Sequence, residues 1–200
     1  MTEARRTLPE PRTDGPVSVE AAIARRRSVR HYSPVELTLE EIGQLLWSGQ
    51  GITGKQPDQR AAPSAGGRHP LVFYVCRHDG VWHYHPETHH LIRHLEKDVR
   101  EDLAEAAWRQ EFIGEAPCVF AISAIVARTT ERYPERGRGR YIPMDVGHAA
   151  ENVLLQAVAL GLGSTPISAF EDEAITRALV LPAGEEPIYL ITVGHPEHSV

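Results

Sequence analysis

Residues 145–160, DVGHAAENVLLQAVAL, constrain this chain more than any other stretch. Val146, Ala149, Ala150, Val153, Leu154, Ala157 and Val158 recur at helical spacing, and Leu155 and Leu160 widen the apolar surface. The pattern predicts a central helix buried on most sides, with alanines that let other helices approach closely. Three apolar runs read as buried strands: LVFYVC at 71–76, CVFAISAIV at 118–126 and PIYLITV at 187–193. Strands and helices are interspersed without strict alternation. That order predicts an α+β fold, a mixed sheet flanked by helices, and argues against a regular doubly wound sheet.

The remaining elements follow from local signals. Ser18 is the N-cap of a helix over 18–27, with Glu20 at its positive end and arginines at its negative end. Thr38 and Glu41 have capping-box spacing, so a helix over 38–49 starts there and ends at Gly49 and Gly51. Residues 52–67 read as loop. VWHYH at 81–85 pairs with HLIRHL at 90–95 across a turn near Pro86–Thr88. An amphipathic helix is expected over 98–112, with Val99, Leu103, Ala106 and Ala107 inward. The charged stretch 130–140 is expected to be mobile, and 172–180 a short helix.

Two hundred residues, 42% of them hydrophobic, suit one domain over 17–200 or one subunit of an intertwined oligomer. The net charge of −6 disfavours general nucleic-acid binding. No apolar run approaches the ~18–20 residues that span a membrane. The first sixteen residues are polar and proline-rich and lack a signal-peptide core, so they read as a disordered arm. Cys76 and Cys118 lie in strand-like runs and read as buried free thiols. The expected location is the cytoplasm.

Three segments carry chemistry. RRSVR puts Arg26, Arg27, Ser28 and Arg30 within five residues at a helix exit. Guanidinium forks and a hydroxyl are what a phosphate needs. PSAGGRHP at 63–70 is a small-residue loop running into a strand, and GLGSTPISAF at 161–170 is a second tight turn after the central helix. Main-chain donors can approach a planar ring where Gly, Ala and Ser keep the way clear. Taken singly, the first could be a solvated helix end, the second a surface turn and the third a helix cap with its connector.

In this order, RRSVRHY, LTLEEIGQLLWSGQGITG, PSAGGRHPLVFYV, DVGHAAENVLLQAVALGLGSTPISAFED and EEPIYLITVG resemble the flavin-dependent nitroreductase superfamily, over roughly residues 18–196. The closer resemblance is to the SagB-type dehydrogenases, which oxidise thiazolines and oxazolines in modified peptides. The resemblance implies a mainly antiparallel sheet and an intertwined homodimer with FMN at the subunit interface. It places Arg26, Arg27, Ser28 and Arg30 on the FMN phosphate and ribityl tail. It places Pro63, Ser64, Ala65 and Gly66 against the partner subunit's isoalloxazine, and Pro166, Ile167, Ser168 and Ala169 behind the ring, with a main-chain N–H at N5. The activity implied is hydride transfer through flavin N5 between NAD(P)H, as co-substrate, and an electron-poor acceptor such as a nitroaromatic or quinone.

Direction is less settled by the resemblance. Azoline-oxidising members carry a Lys-Tyr pair, whereas this chain has only Lys55 and Lys97, neither before a tyrosine, and His69 stands where Tyr is common. Arg140 and Tyr141 are candidates for the substrate mouth, Tyr141 as a proton donor or a packing residue. A SagB-like dehydrogenase, a non-catalytic flavin-binding subunit of a peptide-modifying complex, and a cofactor-free basic-patch protein are the alternatives. His83, His85, His89, His90 and His94 are crowded, but HPETH is not HExxH and Pro86 disfavours the helix, so an exposed hairpin is expected and no metal site. Neither GxGxxG after a strand nor GxxxxGK[ST] is present.

Overall fold

Caps written into the sequence set the first helices. In a computed structural model, which describes residues 4–56 and 58–198, the Ser18 hydroxyl accepts from the Ala21 N–H at 3.2 Å and opens α1 (Val19–Arg25). Thr38 and Glu41 form the reciprocal capping box of α2 (Leu39–Gln50), which runs through Gly49 and stops at Gly51.

Alternation along the apolar runs builds one antiparallel seven-stranded sheet. Its strands are β1 (Arg5–Thr7), β2 (Leu71–Arg77), β3 (Gly80–His85), β4 (His90–Leu95), β5 (Cys118–Ile125), β6 (Gly163–Ile167) and β7 (Glu185–Gly194), in the order β1-β4-β3-β2-β5-β7-β6. The two side-chain rows of each strand face opposite ways. Phe73, Val75, Phe120 and Ile191 turn towards α2 and α6 (Ile142–Ala159). Val72, Tyr74, Val119 and Leu190 turn towards α3 (Arg100–Ala106), α4 (Phe112–Glu115) and α7 (Asp172–Leu179). Each large side chain so buried contributes about 1.5–3 kcal/mol. Cys76 and Cys118 are buried free thiols on opposite faces, and burial pushes the Cys118 thiol up to about 12. Among the described residues no helix is long and apolar enough to cross a membrane.

Five expectations are corrected. The arm over 1–16 is not disordered across its described part: β1 pairs with β4, Leu8 is only 4% exposed, and the backbone of Arg12 is held from both sides by the Gln44 side chain at 2.8 and 3.0 Å. One leucine and an open sheet edge outweigh the polar composition; residues 1–3 lie outside the described residues. The helix expected over 98–112 breaks into α3 and α4, because Trp108 and Arg109 both take positive φ, +55° and +62°. Its four inward residues are nevertheless buried. The charged stretch at 130–140 is folded, by α5 (Ala127–Thr130) and a π-turn at Gly137–Tyr141 that leads into α6. Within 161–170, only Gly161 makes the turn, at φ +74°; Gly163–Ile167 is an edge strand, where Pro166 is tolerated. Finally, α6 is covered on one side only within the chain. Met144 is 53% exposed, Gly147, His148 and Glu151 are exposed, and Leu155 and Val158 are half-buried.

Candidate functional site

The arginine cluster is fixed by the end of α1 and by the edge of the sheet. Arg26 closes α1 with its N–H on the Ala22 carbonyl at 2.9 Å. The chain then lies along β6. Ser28 bridges Ser164 in parallel, the Val29 N–H donates to the Ser164 carbonyl at 3.0 Å, and the hydroxyls of Thr165 and Tyr32 both donate to the Val29 carbonyl. Tyr32 also meets the Thr192 hydroxyl at 2.8 Å, and burial raises its phenol above the ordinary range. These anchors hold the backbone and leave the heads of the cluster outside. Arg27, Ser28 and Arg30 are exposed and Arg26 half-buried. Arg27 folds back on the carbonyls of Ala24 and Arg26, at 3.1 and 2.7 Å, and Arg30 lies over the Phe112 ring at 5.6 Å. Among the described residues none of the three guanidiniums has a carboxylate partner within 4 Å. Three cations beside a free hydroxyl, without a carboxylate counter-charge, are a candidate anion site.

The segment 166–169 is brought to the same side of the molecule. Pro166 is half-buried on β6, Ile167 is in the core, and Ser168 and Ala169 are exposed just past the strand. Gln110 donates to the Ala169 carbonyl at 3.2 Å, and the Glu171 N–H donates to the Ala106 carbonyl at 2.9 Å, so the loop between α3 and α4 braces this stretch. Among the described residues the N–H groups of Ser168 and Ala169 donate to no carbonyl. Phe112 and Gln110 therefore link the arginine cluster to the loop, a relation their sequence positions do not announce.

The third segment stands apart. Pro63 and Gly66 are exposed on a protruding loop, with Ser64 and Ala65 half-buried at its base. Asp145, only 4% exposed in the first turn of α6, accepts from the Ser64 hydroxyl at 2.5 Å and from the Ala65 N–H at 3.2 Å. The Ser64 oxygen in turn accepts from the His69 N–H at 2.9 Å. Gly66 and Gly67 take φ of +62° and +64°, and a Cβ on Gly66 would come within 2.7 Å of the Tyr133 hydroxyl. Tyr133 packs edge-on to Tyr141 at 4.9 Å, which places the candidate proton donor beneath this loop in a packing contact. His69 is buried with its Nε2 at 2.9 Å from the Asp58 carbonyl, and desolvation lowers its pKa. The loop feeds β2, which is separated from β6 by β5 and β7, about 14 Å across the sheet. No hydrogen bond or ion pair among the described residues joins 63–67 to the other two segments.

Comparison with known proteins agrees with this architecture. The model of the Nitroreductase family matches residues 23–195. The protein MJ1384 of Methanocaldococcus jannaschii, named as a nitroreductase, is 41% identical over 184 residues, covering 89% of this chain and 91% of its own. A crystal structure named as a nitroreductase from Ralstonia eutropha JMP134 superposes with a TM-score of 0.88 at 28% identity, over 97% of this chain and 90% of that one. The NADPH:FMN oxidoreductase of Vibrio harveyi shares the fold, with a TM-score of 0.68 at 19% identity over 90% of this chain and 70% of its own. A family match from α1 to the end of β7, with a relative so similar over nearly the whole of both chains, establishes that this chain belongs to the nitroreductase family.

Proposed function

We propose that this chain is an FMN-dependent oxidoreductase that works as a homodimer and passes hydride between NAD(P)H and an electron-poor acceptor such as a nitroaromatic or quinone. The observation that carries the reading is the uncompensated cluster of Arg26, Arg27 and Arg30 beside Ser28, docked on β6 within one wall of Ser168 and Ala169. These residues suit FMN: the guanidiniums and hydroxyl hold its phosphate, and unengaged main-chain N–H groups orient its ring. When bound, FMN supplies two-electron chemistry at its N5.

The chain's own contribution is placement and charge. Arg26, Arg27 and Arg30 offset the phosphate's charge. The donors at 168–169 are fixed by Gln110 and by the anchoring of β6, so they need no rearrangement when negative charge develops near them. The loop 63–66 is held off from this wall in its own chain. We assign it to the partner's site, in keeping with the uncovered face of α6 at Met144, His148 and Glu151, which a second copy would cover. Tyr141 acts through Tyr133 as a support of that loop rather than as a proton donor. The SagB-like direction, from substrate to oxygen, lacks its Lys-Tyr pair here.

The test is the absorbance spectrum of the purified protein before and after anaerobic NADPH or NADH. A flavin spectrum that bleaches on addition supports the reading. Flavin that stays oxidised argues for a substrate-oxidising dehydrogenase or a binder, and a colourless protein that takes up no FMN on reconstitution overturns it. A sedimentation mass at the 22.2 kDa monomer with flavin bound would remove the dimer.

A further inference from the structure

The crowded histidines do not form an exposed hairpin. His83 and His85 lie on β3 facing α7's side of the sheet, with ring centroids 4.2 Å apart, and Tyr74 lies 5.3 Å from His83 and 4.9 Å from His94. They wall a cavity of about 420 Å³ at the sheet end where β2 and β7 begin and β5 finishes. Cavities of that size take small molecules. None of the residues assigned to FMN lines it.

The polar groups here divide into engaged and unengaged. Both carboxylates are engaged: Glu87 pairs with Arg60 at 2.8 Å, and Glu185 accepts from the Ser123 hydroxyl. The cations are less so. Arg60 donates to Glu87 and Gln50, yet its Nε is buried without a partner. Arg128 uses one N–H on the His69 carbonyl at 3.1 Å and has no carboxylate partner among the described residues. His94 meets the Leu179 carbonyl at 2.7 Å, but neither His83 nor His85 makes a hydrogen bond among the described residues. No group of His, Cys, Asp or Glu there is arranged to hold a metal ion, among the described residues. The imidazoles and guanidinium are therefore hydrogen-bond donors in want of an acceptor, and Val72, Ile125 and Pro182 supply apolar wall beside them.

We propose that this cavity is a second ligand site, separate from the FMN site, for a small carboxylate with an apolar body. Its carboxylate meets Arg128 and the His83–His85 pair, and its body lies against Val72, Ile125 and Pro182. Because Arg128 holds the His69 carbonyl, the ligand sits at the root of the loop that carries Ser64 and Gly66. Burial, then the neighbouring His85, His94 and Arg128, lower the His83 pKa to about 4 despite Glu87; an anion favours the imidazolium and moves that value up.

Benzoate is the probe, titrated into the full FMN-loaded protein while histidine ring signals are followed by NMR. The expected result is saturable movement of the His83 and His85 signals, an upward shift of the His83 titration midpoint, and affinity about tenfold weaker in Arg128→Gln. His85→Gln, at a half-buried surface position, gives the same loss if Arg128→Gln disturbs the loop. Linear, non-saturating shifts, or shifts indifferent to both substitutions, mean adventitious contact and overturn the proposal. Benzoate that perturbs flavin absorbance and leaves the His83 and His85 signals unmoved overturns it as well, without touching the FMN reading.

Discussion

The arginine segment at 26–30 and the loop at 63–66 are both short, and each carries one serine, but they manage their donors in opposite ways. In the first, the backbone is tied down and the guanidinium heads, among the described residues, have no carboxylate partner. In the second, the Ser64 hydroxyl and the Ala65 N–H are consumed by Asp145, so these two donors are turned inward. A hydroxyl in a motif is thus informative only with its partner: Ser28 is available to a ligand, and Ser64 is a strut. On the proposed reading, recognition of charge falls to the first segment and close backbone approach to the second.

The comparison can be broken at either end. The largest effect is expected for the double change Ser28→Ala with Arg30→Ala. Loss of two phosphate contacts should cost about 3 kcal/mol, on the order of a hundredfold in FMN affinity, with little change in the urea midpoint. If flavin stoichiometry survives, the anion site lies elsewhere. Next comes Asp145→Ala, which takes the acceptor from the half-buried Ser64 hydroxyl and the Ala65 N–H; urea unfolding should show about 2 kcal/mol lost. Were Ser64 a ligand contact and not a strut, FMN affinity would fall and stability would not. The smallest is Gly66→Ala. Its left-handed φ costs about 1 kcal/mol, and the contact with Tyr133 adds to it. In a Tyr133→Ala background the penalty should shrink to the backbone part, and equal penalties would show that the tyrosine does not shape the loop.

What was legible in the sequence was local. Ser18, Thr38 and Glu41 cap helices three residues away, so their roles could be read from spacing alone. Continuous apolar runs disclosed β2, β5 and β7, and alternation in VWHYH disclosed the β3–β4 hairpin. β6 was hidden because glycine, serine and proline dominate it, and only its pairing with β7 makes it a strand. The break between α3 and α4 was hidden in two left-handed residues that carry no glycine signal. Asp145 and Gln110 escaped because their partners stand 81 and 59 residues away. The arm at 4–16 misled because composition averages over Leu8, its buried residue, and carries no sign of the pairing with β4 or of the Gln44 contacts at Arg12.

The sheet has two open margins, and both are guarded. On one side β1 is three residues long and carries Arg5 and Arg6; on the other, β6 carries Pro166 and is overlaid at Ser164 by residues 28–29. Unguarded strand margins recruit strands from other molecules. The second guard is the same ribbon that presents the arginines. A lesion that frees this ribbon would therefore do more than weaken ligand retention: it would bare a template for self-association, and colloidal stability would decline together with cofactor occupancy.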